Sequence, residues 1–95
     1  NPPYIPSNDI YFLETEVKDY DPILALDGGN DGLNAYRSII PRLKNLVKSD
    51  GKIFVEIGRG QENSVSEIAL QHGLFSIDYK RDLSNIIRVI VFNIK

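Results

Sequence analysis

The stretch KIFVEIG, Lys52–Gly58, constrains the fold more than any other part of the chain. Turn-forming residues precede and follow it, and its apolar side chains fall on both faces of an extended strand: Ile53, Phe54, Val55 and Ile57. Strands that are apolar on both faces lie inside largely parallel sheets, where helices cover each side. The sequence therefore predicts a strand at 52–57 in the interior of an α/β domain.

Regular helical spacing begins after residue 31. Apolar residues three and four positions apart predict a helix at 33–49, which Pro41 should kink or break near Ile40. A second helix is predicted at 65–72, because Ser64–Glu67 has the spacing of a capping box.

Two more strands are expected beyond Gly73, which should end the second helix. They span 74–79 and 86–94, and the turn-rich segment KRDLSN between them predicts an antiparallel pair. Residues 31–95 are therefore expected to run helix, strand, helix, strand, strand within a single partial domain that covers 1–95.

Residues 1–30 have a different character, with four prolines and the turn-forming run LDGGND. We expect a loop region there, with at most one short helical turn at 13–17. Only one edge of the predicted strand at 52–57 then has a strand to pair with, so the other edge is expected to be bare.

Composition excludes several classes of function. The 95 residues contain no cysteine and one histidine, so we expect no disulfide and no metal site. A net charge of -2 argues against direct binding of nucleic acid. No apolar run is long enough to span a membrane, and no signal peptide is recognisable, so a cytoplasmic protein is expected. Composition leaves the oligomeric state open.

Three motifs, in this order and spacing, resemble the C-terminal half of the HemK/PrmC family of protein-glutamine methyltransferases. They are NPPYI at the start, DPILALDGGNDGLNAYRSII in the middle and EIGRGQ at the end of the central strand. The resemblance covers nearly the whole chain. One departure is Asp21 before Pro22, where the family usually has Glu.

The resemblance implies a Rossmann-like class I methyltransferase sheet, with strand 86–94 inserted antiparallel between 52–57 and 74–79. It also implies S-adenosyl-L-methionine as cofactor and the glutamine of the Gly-Gly-Gln motif in peptide chain release factors as methyl acceptor. The glycine-rich turn with which the family holds most of the cofactor is not in this sequence. The 95-residue chain alone is therefore expected to be inactive.

The chemistry of NPPY fits an amide acceptor. An Asn side chain can accept a hydrogen bond from an amide NH2, and the carbonyl groups of prolines accept without competing N–H donors. By resemblance, Asn1, Pro2 and Tyr4 are catalytic, Pro3 joins them in binding substrate, and Asn1 also lies near the methyl group of the cofactor. The motif is expected at the carboxyl end of a strand upstream of Asn1.

Two other functions stay open. NPPY also resembles the signature of adenine-amino methyltransferases of nucleic acids, and the chain could instead be a non-catalytic fragment or interaction module. The Gly58–Gly60 run is expected to shape a turn rather than hold a cofactor, because position 63 is Asn where a dinucleotide fingerprint has glycine. A catalytic role for His72 is not expected, since it ends a helix.

Overall fold

The computed structural model describes residues 7–13 and 33–94 of the chain. The described residues form four strands and two helices in the order β1, α1, β2, α2, β3, β4. Their bounds are β1 Ser7–Phe12, α1 Asn34–Leu46, β2 Val47–Glu56, α2 Glu62–Gln71, β3 Leu74–Arg81 and β4 Ile87–Ile94.

The strands form one mixed sheet in the order β1-β2-β4-β3. β1 runs parallel to β2, whereas β4 is antiparallel to both of its neighbours, β2 and β3. The last strand of the chain therefore lies between β2 and β3, which confirms the order that the family resemblance implied. Val55 of β2 is opposite Ile90 of β4, so both side chains project from the same face.

Helix α1 is shorter than the predicted 33–49. It ends at Leu46 because Val47 already belongs to β2 and pairs with Ser7 of β1. The helix continues through Pro41, so of the kink or break predicted near Ile40, the break is wrong. Proline removes one backbone hydrogen bond, but Ile40 is fully buried, and this packing on the sheet holds the helix together.

Helix α2 begins at Glu62 rather than at residue 65. The predicted capping box at Ser64–Glu67 is wrong, because the N-cap residue is Gln61 and no side chain caps the helix there. The end agrees better with the prediction of 65–72: the helix stops at Gln71, and Gly73 has a φ of 80°. Glycine is the residue that adopts this left-handed conformation without strain.

The hairpin of β3 and β4 confirms the two predicted C-terminal strands, with β3 extending two residues beyond 74–79. Asp82 organises the turn between them: its carboxylate accepts hydrogen bonds from the backbone N–H groups of Ser84 and Ile86. The guanidinium of Arg88 donates a third bond at 2.9 Å, and this bond is the main reason why the pKa of Asp82 is lowered.

The prediction of a loop at 1–30 is wrong for Ser7–Phe12, which forms β1. Ile10 and Phe12 pack against the core, while the alternate residues Asp9 and Tyr11 are exposed, as expected for a strand with one buried face. β1 pairs with the edge of β2 that was expected to be bare. Leu13 is not helical, and residues 14–17 of the predicted helical turn lie outside the described residues.

The close approach of β1 depends on Gly51 of β2. A Cβ atom at this position would lie 1.3 Å from the backbone oxygen of Asn8, a distance that no side chain can occupy. A second contact fixes the register nearby, since the carboxylate of Asp9 accepts a 2.9 Å hydrogen bond from the backbone N–H of Lys52. The missing side chain at Gly51 is therefore what lets β1 pair with β2.

Both helices pack on the same face of the sheet, which we call the covered face. Its core joins helix residues such as Ile40 and Val65 to alternate strand residues, and the strand members are Ile53, Val55, Ile57, Leu74, Ile90 and Phe92. The opposite face, called the open face, carries the intervening residues Tyr11, Phe54, Val89 and Val91. Among the described residues, no helix covers the open face.

Candidate functional site

The predicted site residues Asn1, Pro2, Pro3 and Tyr4 lie outside the described residues. Glu14, Glu16, Asp19 and Asp21, four acidic residues close together in the sequence, also lie outside the described residues. What the structure does describe is the carboxyl edge of the parallel pair, where β1 and β2 both end. In open α/β sheets, ligands bind outside the carboxyl ends of the strands. Within the described residues, a substrate site is therefore expected at this edge.

The turn after β2 is closed by its own hydrogen bonds. The backbone N–H of Gly58 donates to the side-chain oxygen of Gln61 at 2.8 Å, and the N–H of Gln61 donates to the carbonyl of Gly58 at 3.2 Å. Gly60 has a φ of 81°, which favours glycine. Since the Gly58 N–H is already bonded, the Gly58–Gly60 run shapes a turn, as predicted from its sequence.

Helix α1 is tied to the same end of β2. The hydroxyl of Tyr36 donates to the backbone carbonyl of Glu56 at 3.3 Å, and Tyr36 itself is buried. The bond joins the first turn of the helix to the last residue of the strand. This hydrogen bond positions Glu56, whose side chain lies on the open face.

An apolar groove lies on the open face at this edge. It has a volume of about 310 Å³ and is lined by the ends of β1 and β2, with Val89 and Lys80 on the far side. Two of its lining residues, Tyr11 and Phe54, stack on each other, with ring centroids 4.5 Å apart and planes inclined by 15°. Tyr11 is nevertheless 65% exposed. Tyr11 is not among the site residues predicted from the sequence, because the prolines before it favoured a loop at this position.

Two further expectations from the sequence concern His72 and metal binding. His72 is the C-cap residue of α2, and its backbone N–H donates to the carbonyl of Ala69. Among residues 7–13 and 33–94, no group of three or more His, Cys, Asp or Glu side chains could hold a metal ion. No helix within those ranges is long and apolar enough to cross a membrane.

Comparison with known proteins relates the chain to one family of enzymes. It is 44% identical over 91 residues to a release factor glutamine methyltransferase from Thermodesulfovibrio yellowstonii, covering 96% of the chain and 33% of the relative. A relative from Bradyrhizobium diazoefficiens with the same name is 45% identical over 92 residues, covering 95% of the chain and 31% of the relative. The chain thus spans about a third of the length of these proteins. No protein-family model matches the chain.

Solved structures confirm the fold. A release factor-specific protein-(glutamine-N5) methyltransferase from Alicyclobacillus acidocaldarius superposes with a TM-score of 0.53 at 17% identity, covering 97% of this chain and 84% of that one. M1.HpyAVI superposes with a TM-score of 0.60 at 10% identity, covering 96% of this chain and 45% of that one. The sheet is therefore part of a Rossmann-like class I methyltransferase sheet. From the sequence matches, the chain belongs to the protein-glutamine methyltransferase family and corresponds to its C-terminal part.

Proposed function

We propose that the protein of which this chain forms a part is an S-adenosyl-L-methionine-dependent methyltransferase. Its proposed acceptor is the side-chain amide nitrogen of the glutamine in the Gly-Gly-Gln motif of peptide chain release factors, in the cytoplasm. The observation that carries the proposal is the motif NPPY at Asn1–Tyr4, in a chain 44% identical to a release factor glutamine methyltransferase.

The reaction places a particular demand on the protein. S-adenosyl-L-methionine supplies an electrophilic methyl group when it is bound. The amide nitrogen of glutamine must form the new N–C bond while the bond from carbon to sulfur breaks, and the nitrogen then loses one proton. Because the amide lone pair is delocalised into the carbonyl, this nitrogen is a weak nucleophile. Orientation and favourable placement of hydrogen-bond acceptors therefore account for most of the catalysis.

The residues of NPPY have the groups that this task needs. In the proposal, the side-chain oxygen of Asn1 and the carbonyl of Pro2 each accept one hydrogen of the glutamine NH2 group. The ring of Tyr4 stacks on the flat amide and fixes its plane, while Pro3 stiffens the segment and reduces the entropy lost on binding. Asn1 also lies nearest the transferred methyl group.

The described residues supply the sheet edge at which a substrate is expected. The carboxyl ends of the parallel strands β1 and β2 meet beside the closed turn at Gly58, and sheets of this class bind their ligands at that edge. The motif itself precedes the amino end of β1 in the sequence, so the support for its role is the resemblance and the sequence matches. The residues that would hold most of the cofactor belong to the part of the relatives that this chain does not match.

The test uses a chimera, defined as the Thermodesulfovibrio yellowstonii relative with its matched region replaced by this chain. We expect it to transfer radiolabelled methyl from S-adenosyl-L-methionine to a release factor. Asn1→Ala should lower kcat at least about 100-fold, because the amide then loses an acceptor that orients it. The matched control Asn8→Ala, at an exposed residue of β1, should stay within about twofold. Equal activity of the two variants would exclude the proposed role of Asn1.

A separate prediction concerns the 95-residue chain by itself. It should bind S-adenosyl-L-methionine weakly and methylate nothing, because it matches only about a third of each relative. Isothermal titration calorimetry on the isolated chain and on the chimera measures the difference. Tight binding by the isolated chain would show that the cofactor site is contained in these residues.

A further inference from the structure

The hairpin of β3 and β4 carries most of the exposed apolar side chains of the described residues. Seven large apolar residues are exposed within 7–13 and 33–94, and four of them lie in β3 or in the turn after it: Phe75, Ile77, Tyr79 and Leu83. We call residues 81–85 the hairpin tip. Leu83, in this tip, is the most exposed of the seven, with 108% of its reference surface accessible. Its side chain is therefore available to a binding partner.

The hairpin tip is held in one conformation by backbone hydrogen bonds as well as by the carboxylate of Asp82. The N–H of Asp82 donates to the carbonyl of Ile86 at 2.9 Å, and the N–H of Asn85 donates to the carbonyl of Asp82 at 3.0 Å. Asn85 has a φ of 64°, a left-handed conformation that Asn adopts more readily than most residues. A rigid tip loses little conformational entropy on binding, so Leu83 is preorganised to enter an apolar pocket.

The hairpin tip projects from the edge of the sheet at which a substrate is expected. β4 is antiparallel to β2, and its early residue Val89 is opposite Glu56 at the carboxyl end of β2. The backbone N–H of Ile57 donates to the carbonyl of Arg88 at 2.8 Å. The hairpin tip precedes these paired residues of β4, so it lies beyond the carboxyl end of β2. Ligands of open α/β sheets bind outside this same edge.

The hairpin tip lies in a positively charged part of the chain. Residues 80–88 contain three cations and one carboxylate, whereas the whole chain has a net charge of -2. The carboxylate of Asp82 is paired with Arg88 at 2.9 Å. The guanidinium of Arg81 donates to the backbone carbonyl of Asn85, and none of the described carboxylates pairs with it. The surface beside the exposed leucine therefore fits a partner that has carboxylates around an apolar pocket.

The position of the hairpin tip indicates which partner it serves. The side-chain amide is the same in every glutamine, so hydrogen bonds to that amide cannot distinguish one protein from another. Selection of one acceptor protein requires contacts away from the reacting nitrogen, on the side of the enzyme where the amide is held. Within the described residues, the hairpin tip combines this position with an exposed apolar side chain and positive charge.

We propose that the hairpin tip is the docking element for the protein that carries the acceptor glutamine. Leu83 enters an apolar pocket on the folded acceptor protein, and Arg81 faces carboxylates at the rim of that pocket. The contact selects the protein and takes no part in methyl transfer itself. The proposal rests on the proposed function, because it takes the release factor as the partner.

The test measures binding and catalysis separately in the chimera. Fluorescence anisotropy with a labelled release factor gives Kd, and radiolabelled methyl transfer gives kcat and KM. Leu83→Ser should raise Kd and KM for the release factor at least about tenfold, because an apolar side chain is lost from a pocket, and should leave kcat within about twofold. The matched control Leu70→Ser, at a 56% exposed residue near the end of α2, should change none of them more than about twofold.

Two further measurements separate docking from other effects. For a short peptide that contains Gly-Gly-Gln but has no folded pocket, the KM of Leu83→Ser should stay within about twofold of the unsubstituted chimera. Arg81→Glu should raise Kd for the release factor and make it less dependent on salt concentration. The control Lys48→Glu, at an exposed residue of the amino end of β2, should leave both unchanged.

Three results would overturn the proposal. One is an unchanged Kd in Leu83→Ser, and another is a chimera that does not bind the release factor. The third is a melting temperature that falls by more than about 2 °C in Leu83→Ser, because the leucine would then be covered by the enzyme itself. Binding that depends on Leu83 without methylation of the glutamine would support the docking element and contradict the proposed function, so the two failures are distinguishable.

Discussion

The two faces of one strand differ more than its sequence suggests. In β2, Ile53 and Val55 belong to the core that the sheet forms with the helices and are almost completely buried, whereas Phe54 between them lines the groove and is half-buried. All three are large and apolar. The difference teaches that apolar residues on both faces of a strand specify two surfaces to be covered, and that the two described helices cover only one of them.

The largest expected effect is on the covered face. Phe92→Ala removes the largest of the fully buried side chains and leaves a cavity between the sheet and the helices. We expect a loss of about 3 to 5 kcal/mol in the free energy of unfolding, measured by urea denaturation of the isolated chain. A loss below about 1 kcal/mol would mean that the covered face is not a packed core.

The second prediction concerns β1, which contributes residues to both faces. Gly51→Ala places a methyl group on the backbone of Asn8 and should displace β1 at a cost of about 1 to 3 kcal/mol, measured by the same denaturation. Gly60→Ala is the control, since no atom lies within 4 Å of its Cβ position. It should cost only about 1 kcal/mol, from its positive φ. Equal costs would indicate that β1 does not pair closely with β2.

The third prediction sharpens the contrast between the faces. Phe54→Ala in the isolated chain should cost only about 1 kcal/mol, chiefly the stacking on Tyr11 and partial burial. In the chimera the same substitution should cost about 3 kcal/mol, because sheets of this class are covered on both faces in the whole domain, which would enclose the ring. Denaturation curves of both proteins with and without the substitution provide the comparison. An identical cost in both proteins would argue against a covered open face.

The smallest effect is expected in the hairpin turn, away from both faces. The pKa of Asp82 is lowered, chiefly by its hydrogen bond with Arg88, so its carboxylate stabilises the fold above its ordinary pKa of 3.8. This stabilisation is lost as pH falls through the lower pKa of the folded state. Asp82→Asn should therefore lower the melting temperature at pH 7 and have no effect at sufficiently acid pH. Melting curves across pH test this, and a difference that persists in acid would contradict the assignment.

Much of the fold could be predicted from periodicity and turn residues. The strand predicted at 52–57, the antiparallel pair and the glycine stop at Gly73 all depend on local patterns that tertiary contacts reinforce. The strand itself spans Val47–Glu56, because its first residues pair with β1, which the sequence did not predict. β1 was not predicted, because the prolines around it suggested a loop. In the structure it pairs with the edge of β2, and Gly51 leaves room for its backbone. The capping box failed because Gln61 closes the preceding turn and starts the helix earlier.

The candidate site also combines features that the sequence predicts with features that it does not. The turn at Gly58–Gly60 could be predicted because glycine has a specific conformational role there. The stack of Tyr11 on Phe54 could not, because it depends on the register between two strands that are distant in sequence. The roles of Asn1, Pro2, Pro3 and Tyr4 come from the resemblance of their motif and stay predictions.

The most direct test of the central claim is the position of the transferred methyl group. A release factor is incubated with the chimera and S-adenosyl-L-methionine, and tandem mass spectrometry locates the modification. The account predicts one methyl group on the side-chain amide of the Gly-Gly-Gln glutamine, absent with Asn1→Ala. A methyl group on another residue, or methylation only of adenine in added nucleic acid, would contradict the proposed acceptor.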